Sequence, residues 1–86
     1  MARRKRRRAV KVIEKKLGRE HARGQCYMGE GLIVLDPRQR AKEYCNSLLH
    51  ELLHHVLPNR GHSFIYRTAG TMTEALWDAG FRRMAR

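Results

Sequence analysis

Apolar residues along this 86-residue chain change their spacing several times, and each change marks a predicted element. Between Ala9 and Leu17, Val10, Ile13 and Leu17 recur at helical spacing among lysines, and Gly18 follows as a stop signal. That spacing predicts a short amphipathic helix with a basic outer face. After the polar stretch from Arg19 to Gly24, Gln25-Cys26-Tyr27-Met28 reads as a strand, Gly29-Glu30-Gly31 as a tight turn and Leu32-Ile33-Val34-Leu35 as a second strand. Together they predict a hairpin. The second run is apolar on both faces, which suits a strand covered by helices or flanked by a third strand, with 20–23 as the candidate.

Asp36-Pro37 has the form of a helix start, an acidic cap followed by a residue preset for the first turn. The predicted helix runs to about Leu57 and is stopped by Pro58-Asn59-Arg60-Gly61. Ala41, Tyr44, Cys45, Leu48, Leu49, Leu52, Leu53 and Val56 form a stripe wide enough to meet a sheet and a neighbouring helix. From His62 onward, Ile65, Ala69, Met72, Leu76 and Ala79 recur at three- and four-residue steps and predict a last helix over 62–82. The expected fold class is α+β, with an N-terminal helix, a small hairpin or three-stranded sheet, a long central helix and a C-terminal helix. Residues 9–86 make one domain of a size at which a bound metal adds useful stability.

The central helix carries the chemistry. His50 and His54 are four residues apart, so a 3.6-residue period places both rings on one face, one turn apart, where they can ligate one metal ion. Glu51 is rotated about 100° from His50, beside such an ion, where a carboxylate serves as general base rather than ligand. A catalytic zinc site usually takes a third protein ligand and leaves a position open. His62 is favoured, because it lies on the predicted inner face of the last helix directly after the turn. Glu74 is the alternative if Gly70 breaks that helix, although Thr71-Met72-Thr73-Glu74 also reads as a capping box that needs no metal.

Charge adds a second feature. The net charge is +11; residues 1–23 hold eleven Lys or Arg against Glu14 and Glu20, giving +9, and the remainder contributes +2. The run Arg3 to Arg8 cannot bury itself, and 1–8 are expected to form a disordered arm. Such an arm either binds nucleic acid through phosphates, without sequence preference and with strong salt dependence, or simply keeps the chain soluble. No aromatic residue interleaves with it, so base stacking is not expected there. No apolar run approaches 18 residues, no apolar signal core follows the arm, and a cytoplasmic protein without a membrane span is expected. Cys26 and Cys45 form no metal-binding pair in the sequence and read as reduced core thiols.

Residues from about Gly31 to Arg83 resemble minimal zinc metallopeptidases, the small zincins called minigluzincins and the SprT-like and ImmA-like proteins of bacteria and phages. The likeness rests on Leu49-His50-Glu51-Leu52-Leu53-His54-His55 with Pro58, and on Ala75-Leu76-Trp77 and Gly80-Phe81-Arg82. It implies a minimal zincin fold, zinc as cofactor, His50 and His54 as ligands, Glu51 as general base and a third ligand from the following helix. SprT-like proteins use a histidine there, which His62 matches, and gluzincins use a glutamate, which Glu74 matches. The expected activity is zinc-dependent hydrolysis of a protein or peptide substrate, with nucleic acid as an additional partner of residues 3–8. The competing reading is a non-catalytic nucleic-acid-binding protein with a structural metal, and a third is a metal-free helical interaction module. An oxyanion donor is expected among His55, Arg60 and Tyr66, while His21 has no assigned role. Trp77 and Phe81, four residues apart on the last helix, are expected to pack against the hairpin or the first helix, and Arg82, Arg83 and Arg86 to complement the C-terminal dipole.

Overall fold

A computed structural model of the protein describes residues 10–18, 23–27 and 29–84. Three strands precede two helices: β1 (Lys11–Glu14), β2 (Gly24–Tyr27), β3 (Leu32–Leu35), α1 (Ala41–Val56) and α2 (His62–Asp78). The fold class is therefore α+β, with the expected small sheet followed by the two long helices. β3 is the middle strand. It pairs antiparallel with β2, Cys26 opposite Ile33, and parallel with β1, Val12 opposite Ile33.

The hairpin forms where the apolar runs placed it. Gly29 and Gly31 take φ of +87° and +65° in its turn, a backbone region that residues with a Cβ enter only at a cost. The apolar run of β3 also has the predicted cause: Ile33, Val34 and Leu35 are buried because strands lie on both edges of β3 and α1 packs against it.

The third strand corrects the sequence reading. Residues 11–14 form β1, not the predicted amphipathic helix, and Ala9 lies outside the described residues. The reason lies in the residue types. Val10, Val12 and Ile13 are β-branched and stiff at χ1, so they suit a pleated strand, and β3 offers them an open edge. The proposed third strand at 20–23 is not formed by Arg23, and 20–22 lie outside the described residues. Met28, the predicted end of β2, lies outside them as well.

Asp36 is a second correction. It does not cap a helix beginning at Pro37, because α1 starts at Ala41 and Arg40 is its N-terminal cap residue. Instead its buried carboxylate accepts hydrogen bonds from the backbone N–H of Leu17 and Arg38, both 3.0 Å, and from the Arg38 guanidinium at 2.6 and 2.9 Å. The Arg38 side chain first, then the two amides, hold the Asp36 carboxyl well below the usual carboxylate range. This ties the segment after β1 to the turn entering α1.

One core lies between the sheet and α1. Ile33, Leu35 and Tyr44 form it, with Val10, Cys26, Leu48 and Leu52 packed around them. α2 runs beside α1 and buries Ile65, Ala69 and Thr73. Met72 and Ala79, predicted on the inner stripe, are exposed. Gly70 leaves α2 unbroken, but the helix ends at Asp78, before the predicted 82. Trp77 and Phe81 both line a hollow with Val12 of β1 and Ala41, Tyr44 and Leu48 of α1, although Phe81 falls beyond the helix and is 64% exposed. Arg82 stacks over Trp77 and donates to the carbonyls of Trp77 and Phe81, as a residue at a helix C-terminus should. Arg83 does something else: it pairs with Glu14 and lies over the Tyr44 ring, joining the chain end to β1. Arg86 lies outside the described residues.

Candidate metal centre

Three histidines meet where α1 and α2 join. His50 and His54 are one turn apart on α1, and their Nε2 atoms are 3.2 Å from each other. The chain then turns through Leu57 to Gly61, and α2 begins at His62, so its first residue returns beside the last turns of α1. The His62 ring centroid is 4.9 Å from that of His50 and 5.7 Å from that of His54. One nitrogen from each of the three lies within 4.8 Å of the others, a group able to hold a metal ion.

The donor set fits a tetrahedral ion. Metal–nitrogen bonds of about 2.0–2.1 Å set the ligand nitrogens about 3.3 Å apart. The His50–His54 pair already has that separation, and His62, exposed at its helix end, is free to close by side-chain rotation. Its inner-face register gave the right neighbours but not burial. Charge points the same way. Burial, followed by the charges of His54 and His62, pushes the His50 pKa below the usual histidine value, and burial followed by His62 does the same for His54. Neutral imidazoles keep the lone pairs that ligation needs.

Glu51 stands beside this group and outside it. It is half-buried, and burial raises its carboxyl above the ordinary range. Its neighbour across the gap is β2: a Cβ added at Gly24 would lie 3.1 Å from Glu51 Cγ, 3.4 Å from its Oε2 and 2.7 Å from Leu35 Cδ2. A side chain at residue 24 would displace either the core or the carboxylate. The Cys26 thiol is pushed up as well, first by burial and then by the charge of Glu51. Cys26 and Cys45 are both half-buried, and neither is in a disulfide among the described residues.

Glu74 is not part of the histidine group. The unbroken α2 carries it three turns beyond His62, where its carboxylate pairs with Lys42 at 2.9 Å. Its capping-box reading also lapses, because Thr71 is interior to the helix. Among the three oxyanion donors considered, Tyr66 has its ring beside the site, 6.5 Å from both His50 and His62, and is 63% exposed. Arg60 stacks on Phe64, 4.4 Å from the ring centroid. His21 lies outside the described residues.

Gly24 is the residue of this region that sequence reasoning missed. The only signal was a glycine opening a strand run, and no local rule connects it to a glutamate 27 positions later. No helix among the described residues is long and apolar enough to cross a membrane. No curated protein and no solved structure matches the chain. Its likeness to a known family is nevertheless broad, extending over residues 5–75 and so across the sheet, the histidine group and most of α2. The chain belongs to the family of the IrrE N-terminal-like domain, Peptidase_M78.

Proposed function

We propose that the protein is a zinc-dependent peptidase in which His50, His54 and His62 hold the ion and Glu51 is the general base. The observation that carries this reading is the convergence of three histidines beside a carboxylate that stays outside the ligand set. Membership of a peptidase family supports it.

A zinc ion bound there would supply Lewis acidity, lowering the pKa of water towards neutrality and polarising the scissile carbonyl. The remaining work falls to the chain. Glu51, whose carboxyl burial raises above its ordinary value, takes a proton from the attacking water and returns it to the leaving amine. Gly24 leaves room for that carboxylate and fixes its approach from the β2 side. Tyr66 offers a phenol O–H to the carbonyl oxygen as negative charge develops on it.

Metal analysis and hydrolysis assays test this together. About one zinc per chain is expected in the wild type and in Glu74→Ala, with loss in His50→Ala, His54→Ala and His62→Ala. Glu51→Gln should keep zinc and lose hydrolysis of an unstructured protein such as casein. Zinc retained in all three histidine variants would overturn the ligand set, and unimpaired hydrolysis by Glu51→Gln would overturn the base.

The basic run Arg3 to Arg8 lies outside the described residues, and its role rests on charge alone. It supports recruitment of the peptidase to nucleic acid. Deleting residues 3–8 should weaken DNA binding at low salt and flatten its salt dependence, while leaving casein hydrolysis unchanged. DNA binding that persists in Glu51→Gln without hydrolysis in the wild type would favour the non-catalytic reading.

A further inference from the structure

The histidine group is one end of a longer seam. On α1 the positions Lys42, Asn46, His50 and His54 repeat every four residues and so share one face; on α2 the positions His62, Tyr66, Gly70 and Glu74 do the same. The helices run antiparallel, which sets these stripes side by side in opposite order. His54 faces His62, His50 lies near Tyr66, and Lys42 meets Glu74 at the far end. Between the ring cluster and that ion pair the seam is open: a hollow of about 490 Å³ is lined by Asn46, Tyr66, Arg67, Gly70, Thr71 and Glu74. A second hollow of about 240 Å³ continues from it, sharing Asn46, Gly70 and Glu74 and reaching Lys42 and Arg23.

Two residues in this groove lack a structural explanation. Gly70 sits within α2, where glycine costs helix stability relative to alanine, yet a Cβ there would meet nothing within 4 Å. Neither packing nor a special backbone angle calls for glycine. Asn46 has one end of its side-chain amide held by Thr73 Oγ1 at 3.1 Å, and the other end is bonded to no described residue. A bare stretch of helix beside a half-used amide has the form of a bed for an extended backbone, which brings its own N–H and C=O groups and needs close approach.

We infer that this groove binds the substrate chain on one side of the scissile bond, across Gly70, with Asn46 hydrogen-bonding its main chain. This deepens the peptidase reading and rests on it, because the occupant is identified by the groove's continuity with the histidine group through Tyr66. From His50 to Lys42 is eight residues of helix, about 12 Å at 1.5 Å per residue. An extended peptide covers that distance in about four residues. The selected property is accordingly chain length beyond the cleaved bond.

The test compares zinc-loaded full-length wild type with Gly70→Phe and Asn46→Leu on two quenched fluorogenic peptide pools of randomised sequence, tetrapeptides and decapeptides. Wild type should cleave decapeptides with kcat/KM about tenfold above tetrapeptides, corresponding to roughly one main-chain hydrogen bond with its contacts. Both variants should bring that ratio close to one, chiefly by raising KM for decapeptides. Zinc content and melting temperature report folding, and Gly70→Phe should melt no lower than wild type, since it removes a helix glycine and fills open space. A ratio unchanged in both variants would overturn the groove while the peptidase reading stands. Wild type inert on both pools, with zinc bound, would fail the peptidase reading instead. Binding then decides the groove: fluorescence anisotropy of a labelled decapeptide pool should show about tenfold weaker affinity in Gly70→Phe, and equal affinity would overturn it.

Discussion

The two halves of α1 make different contributions. Its N-terminal half buries Tyr44 and Ser47, and Tyr44 closes the core over Ile33 and Leu35. Its C-terminal half, from His50 to Val56, contains no fully buried residue; Leu52 reaches the edge of the core and the histidines stand half-covered. One continuous helix thus carries stability at one end and the candidate metal centre at the other. The difference teaches that the candidate ligand positions can be altered without dismantling the fold, whereas the core position Tyr44, about two to three turns away, cannot.

Breaking the core end should have the largest effect. Leu35 is fully buried, and Leu35→Ala should cost about 2–5 kcal/mol from lost burial and the cavity left behind. Urea denaturation measures it. A loss below about 1 kcal/mol would mean that the core is not centred on β3.

At the metal end, a smaller effect appears only when zinc is present. Zinc at a hundred times its dissociation constant should stabilise the wild type by about 2.7 kcal/mol in a thermal melt. His54→Ala should lose that gain, and with chelator it should unfold within about 1 kcal/mol of metal-free wild type, the usual range for a substitution off the core. A metal-free variant that fails to fold would show that the two halves are not separable.

The smallest effect sharpens the comparison through pH. Burial raises the folded-state pKa of Glu51, so ionising it costs stability. Below the unfolded value both states are protonated and no cost exists; as pH rises through the unfolded and then the folded value the cost develops, and it is full above both. In chelator, Glu51→Gln should therefore stabilise at pH 7 and not at pH 3.5, read as the difference between variant and wild type at each pH. That difference removes the opposite trend from His50 and His54, whose lowered values withdraw stability as pH falls below the ordinary histidine range. Equal differences at both pH values would show that Glu51 is as well solvated in the folded chain as in the unfolded one.

Much of this was legible in the chain itself. The hairpin, the limits of α1 near Pro58 and the register of His50, Glu51 and His54 follow from local rules, because helix period, turn glycines and proline act within a few residues. His62 was reachable by the same route, since a short turn between antiparallel helices returns the chain to the residues just left. The N-terminal strand was not, because Val10, Ile13 and Leu17 fit a helical period while Val10, Val12 and Ile13 fit a strand, and the open edge of β3 decides between them. Asp36 misled because an acidic residue before proline also suits a turn. Its partner, the Leu17 amide, is 19 residues away. Gly24 was invisible for the same reason of distance.

The exposed outer strand has a consequence for behaviour at high concentration. β1 presents Val12 and Ile13 at 42% and 37% exposure on a strand that pairs with β3 on one side and, among the described residues, ends the sheet on the other, the arrangement that invites a second molecule to extend the sheet into an aggregate. Lys11 within the strand and Lys15 and Lys16 just past it place like charges where an incoming copy of the same strand would have to lie. Neutralising them, by acetylation or by a polyanion, removes that repulsion and turns the edge into a site of self-association.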